Sequence, residues 1–217
     1  PIAPVEYGSR LIHFASIWSI LLIIAAPVVL LVSFKFVRVV WAKFRGVTTL
    51  SHGEKNLMWR PAWLIALMSV VIPWFLWALT HIRFNESSEF SDIFLRLPVT
   101  GSLGLLTVIM VAVTLTRSRR GADDGAHYVM LIGSVAMYLL FAAELFFVHD
   151  LFGNRMNTVF KFYYQAWILL SVVGGYGAYV WWKHGSRLKG PAQAISTASL
   201  LLVLVLVFSS IYFSVAS

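Results

Sequence analysis

The chain contains no cysteine, and only 12% of its 217 residues are charged. Without cysteine it cannot form a disulfide framework, bind a metal through thiolates or use a cysteine nucleophile. Its compartment must therefore be inferred from membrane topology and not from redox chemistry. A charged fraction this small is also about half of that in soluble globular domains. The composition therefore excludes an ordinary soluble protein.

Hydrophobic residues make up 59% of the chain, and the mean hydropathy of the chain is +0.81. A helix needs about 20 residues to cross a hydrocarbon core of about 30 Å, and in lipid an apolar run of this kind satisfies its backbone hydrogen bonds as a helix. Six runs are close to that length: Leu11–Phe34, Ala62–Ile82, Pro98–Thr116, His127–His149, Phe162–Trp182 and Ala192–Val215. The predicted fold is all-α, a polytopic bundle of about six transmembrane helices that forms one domain over residues 1–217.

The net charge of +8 does not indicate nucleic-acid binding, because the basic residues fall in short loops between spans and form no clustered soluble domain. Twelve lysines and arginines lie in the first, third and fifth loops, and five lie elsewhere. Cytoplasmic loops carry the excess of such residues. Both termini and the 150–161 loop are therefore predicted to be extracytoplasmic.

The join between the fourth and fifth predicted spans holds the two candidate catalytic acids. Glu144 lies about five residues inside the fourth span, a costly place for a carboxylate unless it pairs or faces a cavity. A protonated or snorkelling glutamate is the alternative. Asp150 follows the span and is a candidate base, or a ligand of a divalent cation. No third ligand is evident beside His149 and Asp150, so no metal site is predicted.

The same join also holds the candidate binding residues. Asn157, Lys161, Tyr164 and Gln165 recur at intervals of three and four residues, which places them on one helix face, whereas Phe160, Phe162 and Trp167 are predicted to face lipid or packed neighbours. Arg155 and Lys161 are suited to a phosphate or pyrophosphate. An interfacial anchor is the structural alternative. The candidate binding residues are Arg155, Asn157, Thr158, Lys161, Tyr163, Tyr164 and Gln165.

Two patterns predict how the spans pack. Pro27 and Pro73 lie inside the first two spans, where each removes a backbone donor and can kink the helix. In the fifth span, Gly174 with Ala178 and Ser171 with Gly175 form two small-xxx-small pairs. Such pairs are suited to close helix approach.

The segment Arg155-Met-Asn-Thr-Val-Phe-Lys-Phe-Tyr-Tyr-Gln-Ala-Trp167, with Asp150 and Glu144 before it, resembles the signature of a known family. That family comprises very hydrophobic bacterial and archaeal membrane proteins named for a triple-tyrosine motif, and it is usually placed beside glycosyltransferases of the GT-C type. The resemblance implies a GT-C-like fold in a prokaryotic cell membrane. It also implies an extracytoplasmic transferase that uses a lipid-linked sugar, such as a polyprenyl-phosphate sugar.

Members of that family are longer and carry an upstream Gly-Asp-Leu-His type motif, which is absent here. The resemblance therefore implies that this chain is the C-terminal part of such a protein, or one half of a split one. By itself it is expected to transfer no sugar. Its expected partners are membrane lipids and either the missing N-terminal half or other membrane subunits.

Two other functions remain open. A split or degenerate relative would serve as an accessory subunit of a membrane complex and use the polar join as a contact surface. A transporter is the third interpretation, and Glu144 as a proton carrier and the kinking prolines are the features that favour it. The absence of an obvious inverted repeat among the six spans counts against transport.

Overall fold

The computed structural model describes residues 2–4, 18, 22, 60–84, 90–119, 125–148, 156–185, 197, 201 and 205. Nearly all of these residues are helical, which confirms the all-α prediction. The elements are β1 (Ile2–Pro4), α1 (Arg60–Phe84), α2 (Phe90–Arg119), α3 (Gly125–Leu145), β2 (Phe146–Val148) and α4 (Met156–Gly185). Five single positions in the first and sixth predicted spans are helical, and the rest of those spans lies outside the described residues.

Three of the described helices are long and apolar enough to cross a membrane: Pro61–Arg83, Arg96–Ser118 and Gly125–Leu145. Helix α4 has 30 residues and is also long enough. Its tyrosines, tryptophans and glycines lower its mean hydropathy, so its composition alone does not identify it as a membrane-spanning helix. The described part of the chain is therefore that of a membrane protein with several apolar helices, and the number of six spans stays a prediction.

The fourth predicted span differs from the structure at its end. The apolar run continues to His149, but α3 ends at Leu145 and the chain then forms β2. Strand β2 pairs antiparallel with β1, with Ile2 opposite Val148 and Pro4 opposite Phe146. Residues 146–148 are therefore paired with a distant segment of the chain, whereas a helix would have satisfied their backbone groups locally.

The four helices pack in chain order, with α2 between α1 and α3, and α3 between α2 and α4. A side chain at Gly104 of α2 would meet Val70 of α1 and Phe141 of α3, and one at Gly133 of α3 would meet Met110 of α2 and Val173 of α4. Residue numbers rise along α2 as they fall along α3, so these helices are antiparallel. We call the end where α1 and α3 finish and α2 and α4 begin the Glu144 end.

Helix α1 lies at the edge of the described bundle. Only 22% of its most apolar window is buried, compared with 61% for α2 and for α3. Its exposed side is lined by large apolar residues, which include Leu64, Ile72 and Phe75. An apolar surface of this size is expected where a helix faces lipid or another apolar segment.

Three buried threonines of α2 bond to the backbone of their own helix. The hydroxyls of Thr100, Thr107 and Thr116 donate to the backbone carbonyls of Arg96, Leu103 and Ala112, four residues earlier. This bonding lets a threonine be buried without a partner on a second helix. These residues need no functional explanation.

Candidate functional site

Glu144 is buried in the last turn of α3, with 1% of its surface exposed. The phenolic hydroxyl of Tyr163, on α4, donates to Glu144 Oε1 at 2.5 Å. That distance is short for a hydrogen bond between a hydroxyl group and a carboxyl oxygen. An unpaired carboxylate in this position would be strongly unfavourable, and Tyr163 supplies one of the interactions that offset the cost.

Trp18 fixes the ring of Tyr163. It is 1% exposed, and its ring meets that of Tyr163 edge to face, with centroids 5.1 Å apart and an interplanar angle of 80°. Such aromatic pairs contribute about 0.5–1.5 kcal/mol beyond the area they bury. Tyr163 is therefore held by its ring and by its hydroxyl, in contact with two distant parts of the chain.

Thr158 joins the start of α4 to β2. Its side chain is buried, and Oγ1 accepts a hydrogen bond from the backbone N–H of Val148 at 2.8 Å. Because β2 directly follows α3 and also pairs with β1, this bond helps to fix α3, α4 and β1 relative to each other. Thr158 has a structural role that its residue type alone does not reveal.

An open groove of about 480 Å³ runs along the first half of α4 beside the Glu144–Tyr163 pair. Its lining is almost wholly apolar and aromatic, and the ring of Phe160 stacks on that of Tyr164 with centroids 6.4 Å apart. The size falls within the range of about 300–1,000 Å³ that is common for small-molecule sites. The lining residues are Trp18, Met156, Val159, Phe160, Tyr163, Tyr164 and Trp167.

The structure divides the predicted site residues. Glu144, Tyr163 and Thr158 come together at the Glu144 end, and Tyr164 joins the groove. Lys161 and Gln165 are exposed on α4 and do not line the groove, and Asn157 is half-buried. Asp150 and Arg155 lie outside the described residues. The roles assigned to all nine residues from the sequence stay proposals.

Several groove residues were not among the predicted site residues. Phe160 and Trp167, which were expected to face lipid or packed neighbours, are exposed and line the open groove. The spacing of Met156, Phe160 and Tyr164 at four-residue intervals, with Trp167 three residues later, is the signal in the sequence, because it places them on one helix face. Nothing local to Trp18 indicates its contact with α4.

A second group of polar and aromatic side chains lies at the same end, between α1 and α2. His81 is buried and stacks on Trp77, with centroids 5.1 Å apart, and the guanidinium carbon of Arg96 lies 5.1 Å from the centroid of the Trp77 ring. The second distance is that of a cation–π contact. The group ties the end of α1 to the start of α2.

Within the described ranges, no three histidine or acidic side chains are grouped so that they could hold a metal ion. His149 and Asp150, the two residues considered from the sequence, lie outside those ranges.

Comparison with known proteins gives a family and no activity. No curated protein and no solved structure matches the chain. A family model described as uncharacterized membrane protein (DUF2298) matches residues 2–170. This range includes β1, helices α1 to α3, the Glu144–Tyr163 pair and the whole of the groove lining. The chain therefore belongs to the uncharacterized membrane protein family DUF2298.

Proposed function

We propose that the protein takes part in sugar transfer from a polyprenyl-phosphate donor at the extracytoplasmic face of a prokaryotic membrane, with a GT-C-like architecture. The observation that carries the proposal is the open aromatic groove beside the buried Glu144–Tyr163 pair. The groove offers an apolar chain a place to bind next to a group that can exchange protons. A transferase that uses a lipid-linked sugar needs both features.

We propose that Arg155 provides a cation at one end of the groove. Arg155 immediately precedes Met156, the first groove residue on α4. A guanidinium there is suited to the donor phosphate, which it can bind through two parallel hydrogen bonds. The isoprenoid chain would then follow the aromatic residues toward Trp167. Asp150, five residues before Arg155, is the proposed group facing the sugar or acceptor.

The exposed polar face of α4 favours an additional contact with a partner. Asn157, Lys161 and Gln165 lie on a side of the helix that the groove does not use, and Lys161 and Gln165 make no hydrogen bond or ion pair with the described residues. Polar groups in this position are suited to lipid headgroups or to another membrane subunit. An accessory role in a complex is the alternative function that this face supports.

The orientation of the Glu144 end can be tested by cysteine labelling, since the protein has no cysteine of its own. We expect a cysteine at Asn154 to react with a membrane-impermeant maleimide added from outside intact cells, and one at Ser118 to react only after the cells are opened. The opposite pattern would place the groove at the cytoplasmic face and contradict an extracytoplasmic transferase.

The proposed occupant of the groove can be tested by photo-crosslinking. We expect a polyprenyl phosphate with a diazirine on its isoprenoid chain to label the part of α4 between Met156 and Trp167, in membranes that contain the complete protein. Polyprenyl phosphate should compete for the site and phosphatidylglycerol should not. Peptide mass spectrometry would locate the label.

A pair of tryptophan variants supplies the control for this experiment. Trp167→Ala removes part of the groove lining and should reduce labelling, whereas Trp182→Ala removes an exposed tryptophan near the other end of α4 and should not. Equal competition by phosphatidylglycerol, or equal labelling of the exposed face of α1, would mean that the groove is an ordinary lipid-facing surface.

A further inference from the structure

We infer that Tyr163 relays a proton from the acceptor hydroxyl in the groove to the buried carboxylate of Glu144. The inference rests on the proposed sugar transfer and names the residues that carry its proton. It assigns Tyr163, predicted from the sequence as a ligand of the donor, a part in the chemical step.

Accessibility is the first argument. Glu144 is 1% exposed and does not line the groove, so no substrate bound there can touch its carboxylate. Tyr163 lines the groove and donates its hydroxyl hydrogen to Glu144 Oε1. Tyr163 therefore connects the groove with the carboxylate.

The chemistry of a tyrosine hydroxyl is the second argument, because it donates one hydrogen bond and accepts others at the same oxygen. In the proposed step, the acceptor oxygen forms its bond to the sugar carbon C1 while its proton passes to Tyr163 Oη. The original Tyr163 proton passes to Glu144 Oε1. The bond from C1 to the phosphate oxygen breaks, and polyprenyl phosphate leaves with that electron pair.

The rigidity of Tyr163 is the third argument. A proton relay requires donor and acceptor to stay within hydrogen-bond distance during the step. Trp18 packs against the ring of Tyr163, and the carboxylate holds the hydroxyl. Tyr164, the next residue, is exposed and stacks on Phe160. Of these two adjacent tyrosines, the structure holds Tyr163 in place for proton transfer.

The test compares two acceptors in membranes that contain the complete protein. The donors are isotope-labelled polyprenyl-phosphate glucose and mannose, and the acceptors are the native membrane hydroxyl acceptor and azide. Azide has no proton to lose, so its attack on C1 does not need the relay. Tyr163→Phe should lower kcat for the hydroxyl acceptor by about 100-fold or more, with little change in KM for the donor. Transfer to azide should be retained.

Glu144→Gln should give the same pattern, since the amide oxygen still accepts the Tyr163 hydrogen bond but cannot take the proton. Tyr138→Phe is the matched control: it removes a tyrosine hydroxyl from α3 at an exposed position away from the groove, and it should leave both reactions unchanged. The infrared band of the Glu144 carboxyl group, assigned by its loss in Glu144→Gln, should shift in Tyr163→Phe.

The outcomes separate the relay from the proposed function. If the unaltered protein transfers sugar but Tyr163→Phe keeps the hydroxyl reaction, the relay is wrong and the function stands. An equal loss of the hydroxyl and azide reactions in Tyr163→Phe would show a structural role and also overturn the relay. If the infrared band of the Glu144 carboxyl group were unchanged in Tyr163→Phe, the hydrogen bond on which the relay depends would not exist, and the relay would be wrong. If the unaltered protein transfers sugar to neither acceptor, sugar transfer is wrong and the relay falls with it.

Discussion

Gly104→Val is expected to destabilise the helical bundle by about 1–3 kcal/mol, the range of overpacking substitutions in a filled core. A Cβ atom at Gly104 would lie 2.9 Å from Val70 Cγ1 and 3.5 Å from the ring of Phe141. Val70 is β-branched and has essentially one rotamer on a helix, so it cannot move away cheaply. The measurement is the thermal unfolding midpoint of the purified protein in detergent or lipid particles.

Two other glycines provide the controls. At Gly175 an added Cβ meets nothing within 4 Å, so Gly175→Val should leave the midpoint nearly unchanged. At Gly133 the added Cβ would lie only 2.4 Å from Met110 Cε, but that atom ends a flexible side chain. Gly133→Ala should therefore cost less than Gly104→Ala despite the shorter distance. Equal loss at Gly104 and Gly175 would contradict the three-helix contact.

Arg155→Ala is expected to reduce sugar transfer by the complete protein about 100-fold, and Asp150→Asn should have a similar effect. Removing a group that stabilises developing charge typically costs on the order of 3 kcal/mol in the barrier. The donor phosphate leaves with an added charge, which Arg155 is proposed to neutralise. The measurement is the initial rate with labelled polyprenyl-phosphate sugar.

The comparison for this prediction is Arg83→Ala, which removes an exposed cation from the Glu144 end of α1. It should change the rate little, because Arg83 is not a groove residue. Arg155→Lys should recover only part of the activity, since a lysine cannot form the bidentate contact. Full activity in both Arg155→Ala and Asp150→Asn would show that the segment between α3 and α4 has no role in the mechanism.

The helices could be predicted from the sequence because hydropathy over about 20 residues is a local property. Each of α1 to α4 covers most or all of a predicted apolar run. The end of α3 could not be predicted in the same way. Residues 146–148 are as apolar as the helix before them, and they become a strand because they pair with residues 2–4. The local sequence contains no information about a pairing partner so far away in the chain.

The contacts within the site also could not be predicted from the local sequence. Glu144 stood out because it is an acid inside an apolar run, but its bond to Tyr163 depends on how α3 and α4 align across the bundle. The contact between Trp18 and Tyr163 depends on a still more distant segment. Of the small residues paired in the fifth span, Gly174 is buried but Gly175 has nothing within 4 Å of an added Cβ, whereas side chains added at Gly104 and Gly133 would meet neighbouring helices. A small residue allows two helices to approach closely, but the tertiary arrangement determines at which small residues they do so.

The pairing of β1 with β2 also sets an order for the biogenesis of the protein. Ile2 lies opposite Val148, so the whole segment between β1 and β2 must leave the ribosome before the two strands can pair. Closing a loop this long has an entropic cost that rises with the logarithm of its length, and contacts between distant residues form slowly. Tyr163 is synthesised later still. The Glu144–Tyr163 pair and the groove should thus form only after α1, α2 and α3 have been synthesised.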